Sequence, residues 1–316
     1  MSATTWTCQG CSARWPRQAE IIDFRLQGPS RDDLSFAHRG GLAVSTRRAR
    51  LLAEYPARSF GALAQLYFDL FETSTEVGVR ELATLRDSRA LADAWLYQME
   101  QVVPLAELAA TKAVAVDVGC GGGGLSIALA ERGFQVIGLD ADFERLILAR
   151  KHAESCGIEV LWAAAESEHL PIASGTAGLI TCIEVLEHVS DQARTVAEFH
   201  RVLEDDGRLY LTTPNRFSLG REPHVRLWAM GYLPRRWMDP YVRWRLGIPY
   251  TGKCNPSYAE LSRLFRRQFG NRWRVVREKR ATYTMQGRMA SILSRIPPLG
   301  FLVRLVGAGF HVVATR

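Results

Sequence analysis

Residues 114–140 read VAVDVGCGGGGLSIALAERGFQVIGLD, and this stretch decides the fold. Apolar residues alternate into Asp117, glycines cluster at 119 and 121–124, and Leu125, Ile127, Leu129 and Ala130 carry helical spacing. The pattern predicts strand, tight turn and helix. A second apolar run, Phe134 to Leu139, ends on Asp140, so the segment is a βαβ unit closed by an acid. Glycines belong in such a turn because a Cβ would block both a positive φ and the approach of a ligand to the backbone.

An acid ending the second strand can accept both hydroxyls of a ribose, the general logic of nucleotide sites at the carboxyl ends of parallel strands. The ligand is narrowed by what is missing. D-x-G-C-G-G-G-G departs from the dinucleotide fingerprint G-x-G-x-x-G, and no G-K-[ST] follows as a P-loop requires. Asp117, two residues before the first glycine, would repel a pyrophosphate and suits a cationic or amino-acid-bearing ligand.

The run VDVGCGGGGLSIALA resembles motif I of the class I S-adenosylmethionine-dependent methyltransferases. Asp140 matches their ribose-binding acid, LITCIEVLEHV their fourth strand and following turn, and FHRVLEDDGRLYLTTPNR their next helix and fifth strand. The resemblance spans roughly residues 112–215, with several motifs in order. It implies an α/β fold: a Rossmann-like seven-stranded sheet with an N-terminal helical cap and an insertion after the fifth strand. It also implies S-adenosylmethionine as cofactor, bound through Asp117, Gly119, Gly121, Asp140, Ala141, Glu166, Ser167 and Glu184. Glu166 stands where the family usually has Asp in its adenine-recognition turn, and Ser167 would offer its backbone N–H to the ring.

The E-x-x-E-H arrangement, Glu184 to His188, resembles both the ubiquinone-biosynthesis O-methyltransferases and the plant small-RNA 2′-O-methyltransferases. There the equivalent carboxylates and imidazole bind a divalent cation beside the acceptor hydroxyl. The resemblance implies Glu187 and His188 as catalytic residues, and Glu184, Glu187, His188 and His224 as ligands of Mg²⁺ or Mn²⁺. For the two acids and the histidine to converge, the turn after the fourth strand is expected to open into a helix. The bland alternative is that E-V-L-E-H-V is common in methyltransferases without a metal, His188 then serving as a general base or a cap.

Three segments are expected: a C-x-x-C knuckle over 1–29, a helical cap or lid over 30–111, and the methyltransferase domain over 112–316 with a substrate-recognition insertion at 216–256. The knuckle resembles the first half of small zinc ribbons. Structural zinc needs four ligands and no second pair lies near Cys8 and Cys11, so the knuckle is expected to be metal-free. In the cap, Tyr67, Phe68, Phe71, Trp95 and Tyr97 could line a pocket, with core packing the simpler role. Asp205-Asp206-Gly207 is expected to turn, and strand WRVVREKRATY, a short helix near 288–306 and strand FHVVATR to complete the sheet.

Charge is split along the chain. Residues 1–215 hold 20 Lys and Arg against 29 Asp and Glu; the remaining 101 hold 20 against 4. Such asymmetry points to an anionic partner: RNA, a phosphorylated or lipid-linked acceptor, or an acidic membrane surface contacted peripherally. Equally, the basic part could simply pack beside the acidic one. Six cysteines without regular spacing suggest reduced thiols in a cytoplasmic protein, and no uninterrupted apolar span suggests a transmembrane segment. The reading is an O-methyltransferase acting on a hydroxyl of a small-molecule or glycosylated metabolite. The alternatives are an RNA 2′-O-methyltransferase and a catalytically silent, donor-binding regulatory subunit.

Overall fold

The computed structural model describes residues 4–8, 12–25, 44–70, 82–276 and 305–316. Ten strands form one sheet: β1 Thr4–Thr7, β2 Arg14–Gln18, β3 Ile21–Asp23, β4 Val114–Val118, β5 Gln135–Asp140, β6 Leu161–Ala164, β7 Ala177–Ile183, β8 Leu203–Pro214, β9 Trp273–Val276 and β10 Gly309–Thr315. Their spatial order is β1-β2-β3-β6-β5-β4-β7-β8-β10-β9. From β6 to β9 this is the expected seven-stranded sheet. β6, β5, β4, β7 and β8 run parallel, and β10 enters antiparallel between β8 and β9. The order reverses at β4, where two neighbouring strands send their connections to opposite sides and open a crevice at their carboxyl ends.

The sheet is wider than expected because β3 pairs in parallel with β6, and β2 and β1 add antiparallel strands beyond it. The described part of the knuckle segment is thus sheet edge. Cys8 lies just after β1, its N–H donating to the Ala13 carbonyl, whereas Cys11 lies outside the described residues. Phe71, most of strand WRVVREKRATY and most of the 288–306 helix also lie outside them.

Helices cover both faces. On one side α7 (Gln192–Val202) and α9 (Tyr258–Phe269) bury Val196, Phe199, Leu261 and Phe265 against strand residues such as Ile180, Leu209 and Val312. On the other, α3 (Ser88–Glu100) packs on α5 (Gly124–Glu131), while α1 (Val44–Glu54) and α2 (Phe60–Asp69) pack on α6 (Phe143–Cys156). The remaining helices are the short α4 (Leu105–Ala110) and α8 (Arg235–Leu246). Local chemistry sets their ends. Asp142 and Asp191 cap α6 and α7 through side-chain oxygens, Ser257 and Glu260 form a capping box on α9, and Gly157 closes α6 in the left-handed region.

Cap-segment aromatics serve the core. Tyr67 and Phe68 are buried, and the Tyr67 hydroxyl donates to the Asp142 carboxylate at 3.0 Å; Tyr97 is exposed. The expected turn at Asp205-Asp206-Gly207 is instead a kink inside β8. Leu203 pairs with Ala177, the register shifts before Leu179 meets Arg208, and Asp206 takes a positive φ. An irregularity of this kind absorbs extra residues without ending the strand.

Tyr210 on β8 and His311 on β10 share a 2.8 Å hydrogen bond, and both are buried. Burial pushes the His311 imidazole down to about 4, below its unfolded value. The unfolded chain therefore takes up that proton first as pH falls, and stability is lost below about pH 6.5. Urea unfolding at pH 7 and pH 4.5 should show a stability loss from this site of about 2–3 kcal/mol, smaller in His311→Asn.

Candidate functional site

The glycine loop leaves β4 at its carboxyl end. Gly119, Gly121 and Gly123 all have positive φ. At Gly119 a Cβ would also run into the Val185 side chain, so the loop and the turn after β7 touch only because that residue is glycine. Leu85 presses on Gly122 in the same way, and the Ser88 backbone, at the start of α3, on Gly124.

Asp140, at the end of β5, faces this loop. Its carboxylate accepts the Gly121 N–H and the Asp142 N–H, both at 2.8 Å, which ties the two turns into one cradle. Burial pushes its acid up to about 6, with Arg145 opposing the shift. Ala141 sits at the same edge, and its carbonyl accepts from Arg25 at 3.0 Å. Arg25 also pairs with Asp23 of β3, so the added strands brace the cradle.

Asp117 has a different place from the one expected of a ligand contact. It is 2% exposed, and its two oxygens accept the hydroxyls of Ser126 and Thr181, each at 2.7 Å. Desolvation raises its acid and the two hydroxyls lower it, the net being upward. Its role is to join β4, α5 and β7. Past β6, Glu166 is half-buried and Ser167 is buried, the Ser167 hydroxyl paired with Thr195 at 3.1 Å.

On the acceptor side β7 ends at Ile183 and Glu184 follows with φ of 54°. Its N–H donates to the Thr212 carbonyl on β8 at 3.0 Å. A non-glycine residue in that region costs about 1 kcal/mol and persists where surrounding bonds hold it. The chain then makes a turn, with the His188 N–H donating to the Val185 carbonyl, and α7 begins only at Gln192. The expected helical opening after Glu184 is therefore absent. Convergence comes instead from a neighbour distant in sequence.

That neighbour is His224. Among the described residues, Glu187, His188 and His224 each bring one donor atom within 4.8 Å of the others. The two imidazole Nε2 atoms are 3.3 Å apart, and His188 Nε2 lies 3.8 Å from Glu187 Oε1. Glu184 is exposed and outside this triplet. Glu187 is 1% exposed; one oxygen accepts the Thr213 hydroxyl at 2.9 Å and the other has no hydrogen-bond partner. Burial, then the Glu184 charge, pushes its acid up to about 8; burial, then His224, pushes His188 down to about 3.

Sequence reasoning missed Glu222. This buried acid holds His224 Nδ1 at 2.6 Å, accepts the N–H groups of His224 and Val225, and is bonded by Tyr250 and Asn255. A carboxylate on Nδ1 keeps the proton there and leaves Nε2 as a lone-pair donor. The available signal was E-P-H, an acid two residues before the predicted histidine.

Residues 116–211 match the family model described as "Methyltransferase domain". Over 105 residues the chain is 40% identical to the ubiquinone biosynthesis O-methyltransferase of Pseudomonas paraeruginosa (strain DSM 24068 / PA7), covering 32% of this chain and 44% of that protein. Over 107 residues it is 40% identical to the enzyme of that name from Actinobacillus pleuropneumoniae serotype 7 (strain AP76), covering 32% and 45%. An S-adenosylmethionine-dependent methyltransferase structure from Mesorhizobium loti aligns with TM-score 0.44 and 19% identity over 65% of this chain and 91% of that one. Residues 116–211, which run from β4 into β8, thus carry a methyltransferase domain. The chain spans less than half the length of these curated relatives.

If Asp117 is a joint, Asp117→Ala should lower stability by about 1–3 kcal/mol, because two buried hydroxyls lose their acceptor. Denaturant unfolding at pH 7 checks this.

Proposed function

We propose that the chain transfers a methyl group from S-adenosylmethionine to a hydroxyl of a small-molecule or glycosylated acceptor, with a divalent cation held at the acceptor side. The observation that carries the reading is the Glu187, His188 and His224 triplet, two of whose members follow β7 in the same turn as Val185, the residue packed against Gly119 of the glycine loop.

Methyl transfer is an in-line displacement at a carbon already activated by the sulfonium charge, so the protein must chiefly align two reactants and manage one proton. Asp140 would accept the ribose hydroxyls, and the 119–123 backbone would leave room for the methionine end. The Glu166–Ser167 turn would meet the adenine. Glu184, exposed at the end of β7, would face the donor's amino-acid end.

The triplet suits a cation. A buried carboxylate oxygen without a hydrogen-bond partner, beside two imidazoles whose Nε2 atoms lie 3.3 Å apart, is costly unless a positive charge joins it. Glu222 supplies the outer support that orients a ligating histidine. Two nitrogens and one oxygen favour Mn²⁺ over Mg²⁺, which prefers oxygen and keeps its water. Bound there, the cation would lower the acceptor hydroxyl's pKa. Glu187 and His188 would hold the cation, and Thr213 would fix the carboxylate's angle. The same triplet also supports RNA 2′-O-methylation, favoured by the basic C-terminal third; steep loss of substrate affinity with salt would select it.

Asp140→Asn should weaken S-adenosylmethionine binding by about 1–3 kcal/mol. In the unaltered protein affinity should fall as pH drops through about 6, because a protonated Asp140 loses acceptor capacity. Calorimetry from pH 8 to pH 5 checks both, and an affinity flat with pH and unchanged in the variant overturns the assignment.

A chelator should abolish transfer and Mn²⁺ should restore it. Mn²⁺ calorimetry should show binding lost in His188→Ala and weakened about 10–100-fold in Glu222→Gln, with donor affinity unchanged. Full activity in chelator with no Mn²⁺ binding would leave His188 as a metal-free base.

A further inference from the structure

Seven of the ten large apolar side chains exposed among the described residues lie between 219 and 248, in the insertion that follows β8. Helix α8 carries the densest part. Its Met238 and Val242, four apart, turn inward and pack with Met230 and Tyr250. Trp237 and Trp244, seven apart and so on one face two turns on, stand 56% and 75% exposed. Leu246, the last residue of the helix, and Ile248 just beyond it add aliphatic surface beside the tryptophans' end of α8, both more than 40% exposed.

Arginines frame the tryptophans. Arg236 and Arg243 repeat the same seven-residue spacing one position earlier, and both are exposed. Arg236 lies over the Trp237 ring at 5.8 Å and Arg245 over the Trp244 ring at 5.5 Å. Across residues 216–255 eight Arg and Lys face two acids. Both acids are engaged, Glu222 with His224 and Asp239 with Arg243.

We propose that this face of α8 docks on the surface of an anionic lipid bilayer. Exposed tryptophan with an arginine over its ring matches the headgroup level, where an indole is half immersed and a guanidinium reaches lipid phosphate. Leu246 and Ile248 argue for lipid over nucleic acid, since stacking on bases uses aromatic rings and has no use for aliphatic chains. A second copy is disfavoured by charge: two such faces brought together would appose arginine with arginine. No helix among the described residues is long and apolar enough to cross a membrane, so attachment would be peripheral. The inference is independent of the methyl-transfer reading, because it rests on surface chemistry alone.

Co-sedimentation of the full chain with vesicles tests it, comparing phosphatidylcholine alone with phosphatidylcholine mixed with phosphatidylglycerol. Partition into the mixed vesicles should exceed that into the neutral ones and weaken with salt. The double variant W237A/W244A should lower it at least about tenfold, and R236A/R243A should flatten its salt dependence. Circular dichroism melts establish that these surface variants stay folded. Absence of partition by the unaltered protein, or equal partition by W237A/W244A, overturns the proposal. So does tight binding of a single-stranded RNA oligonucleotide without vesicle binding, or a dimer that W237A/W244A dissociates.

Discussion

Everything in this molecule depends on where the Asp117 carboxylate sits. One oxygen takes the Ser126 hydroxyl and the other the Thr181 hydroxyl, so one buried acid clamps the strand before the glycine loop, the helix after it and the neighbouring strand. A buried carboxylate is tolerated only when donors replace its water. Here both donors come from elements that must be aligned for the crevice to exist. The clamp lies at the topological reversal of the sheet, which is where the chain can open a site without breaking its core.

Above the clamp two acids, Asp140 half-buried and Glu187 fully buried, do opposite things. Asp140 is supported by two backbone N–H groups, so its charge is partly met before any ligand arrives. Glu187 has one hydroxyl partner and one bare oxygen, and the Glu184 charge stands nearby. The first arrangement is met on both oxygens within the fold; the second leaves one oxygen without a hydrogen-bond partner.

The insertion after β8 works on two sides. Its inward side brings Glu222, His224 and Tyr250 to the acceptor end, and its outward side exposes the tryptophan and arginine face of α8. One segment therefore both completes the site and meets the surroundings.

The sequence by itself determined the βαβ unit and the placing of Gly119 and Asp140. These follow from local periodicity, glycine sterics and strand-end chemistry, all of which act within a few residues. It also named Glu187, His188 and His224, through a motif rather than through geometry. Only the tertiary structure decided that β1–β3 widen the sheet, that Asp117 is a clamp, that Glu184 stands outside the triplet, and that Glu222 orients His224. Those outcomes depend on which strand edges pair and which side chains meet across 36 residues between His188 and His224. Distant partners are chosen by packing and burial, which no local pattern encodes.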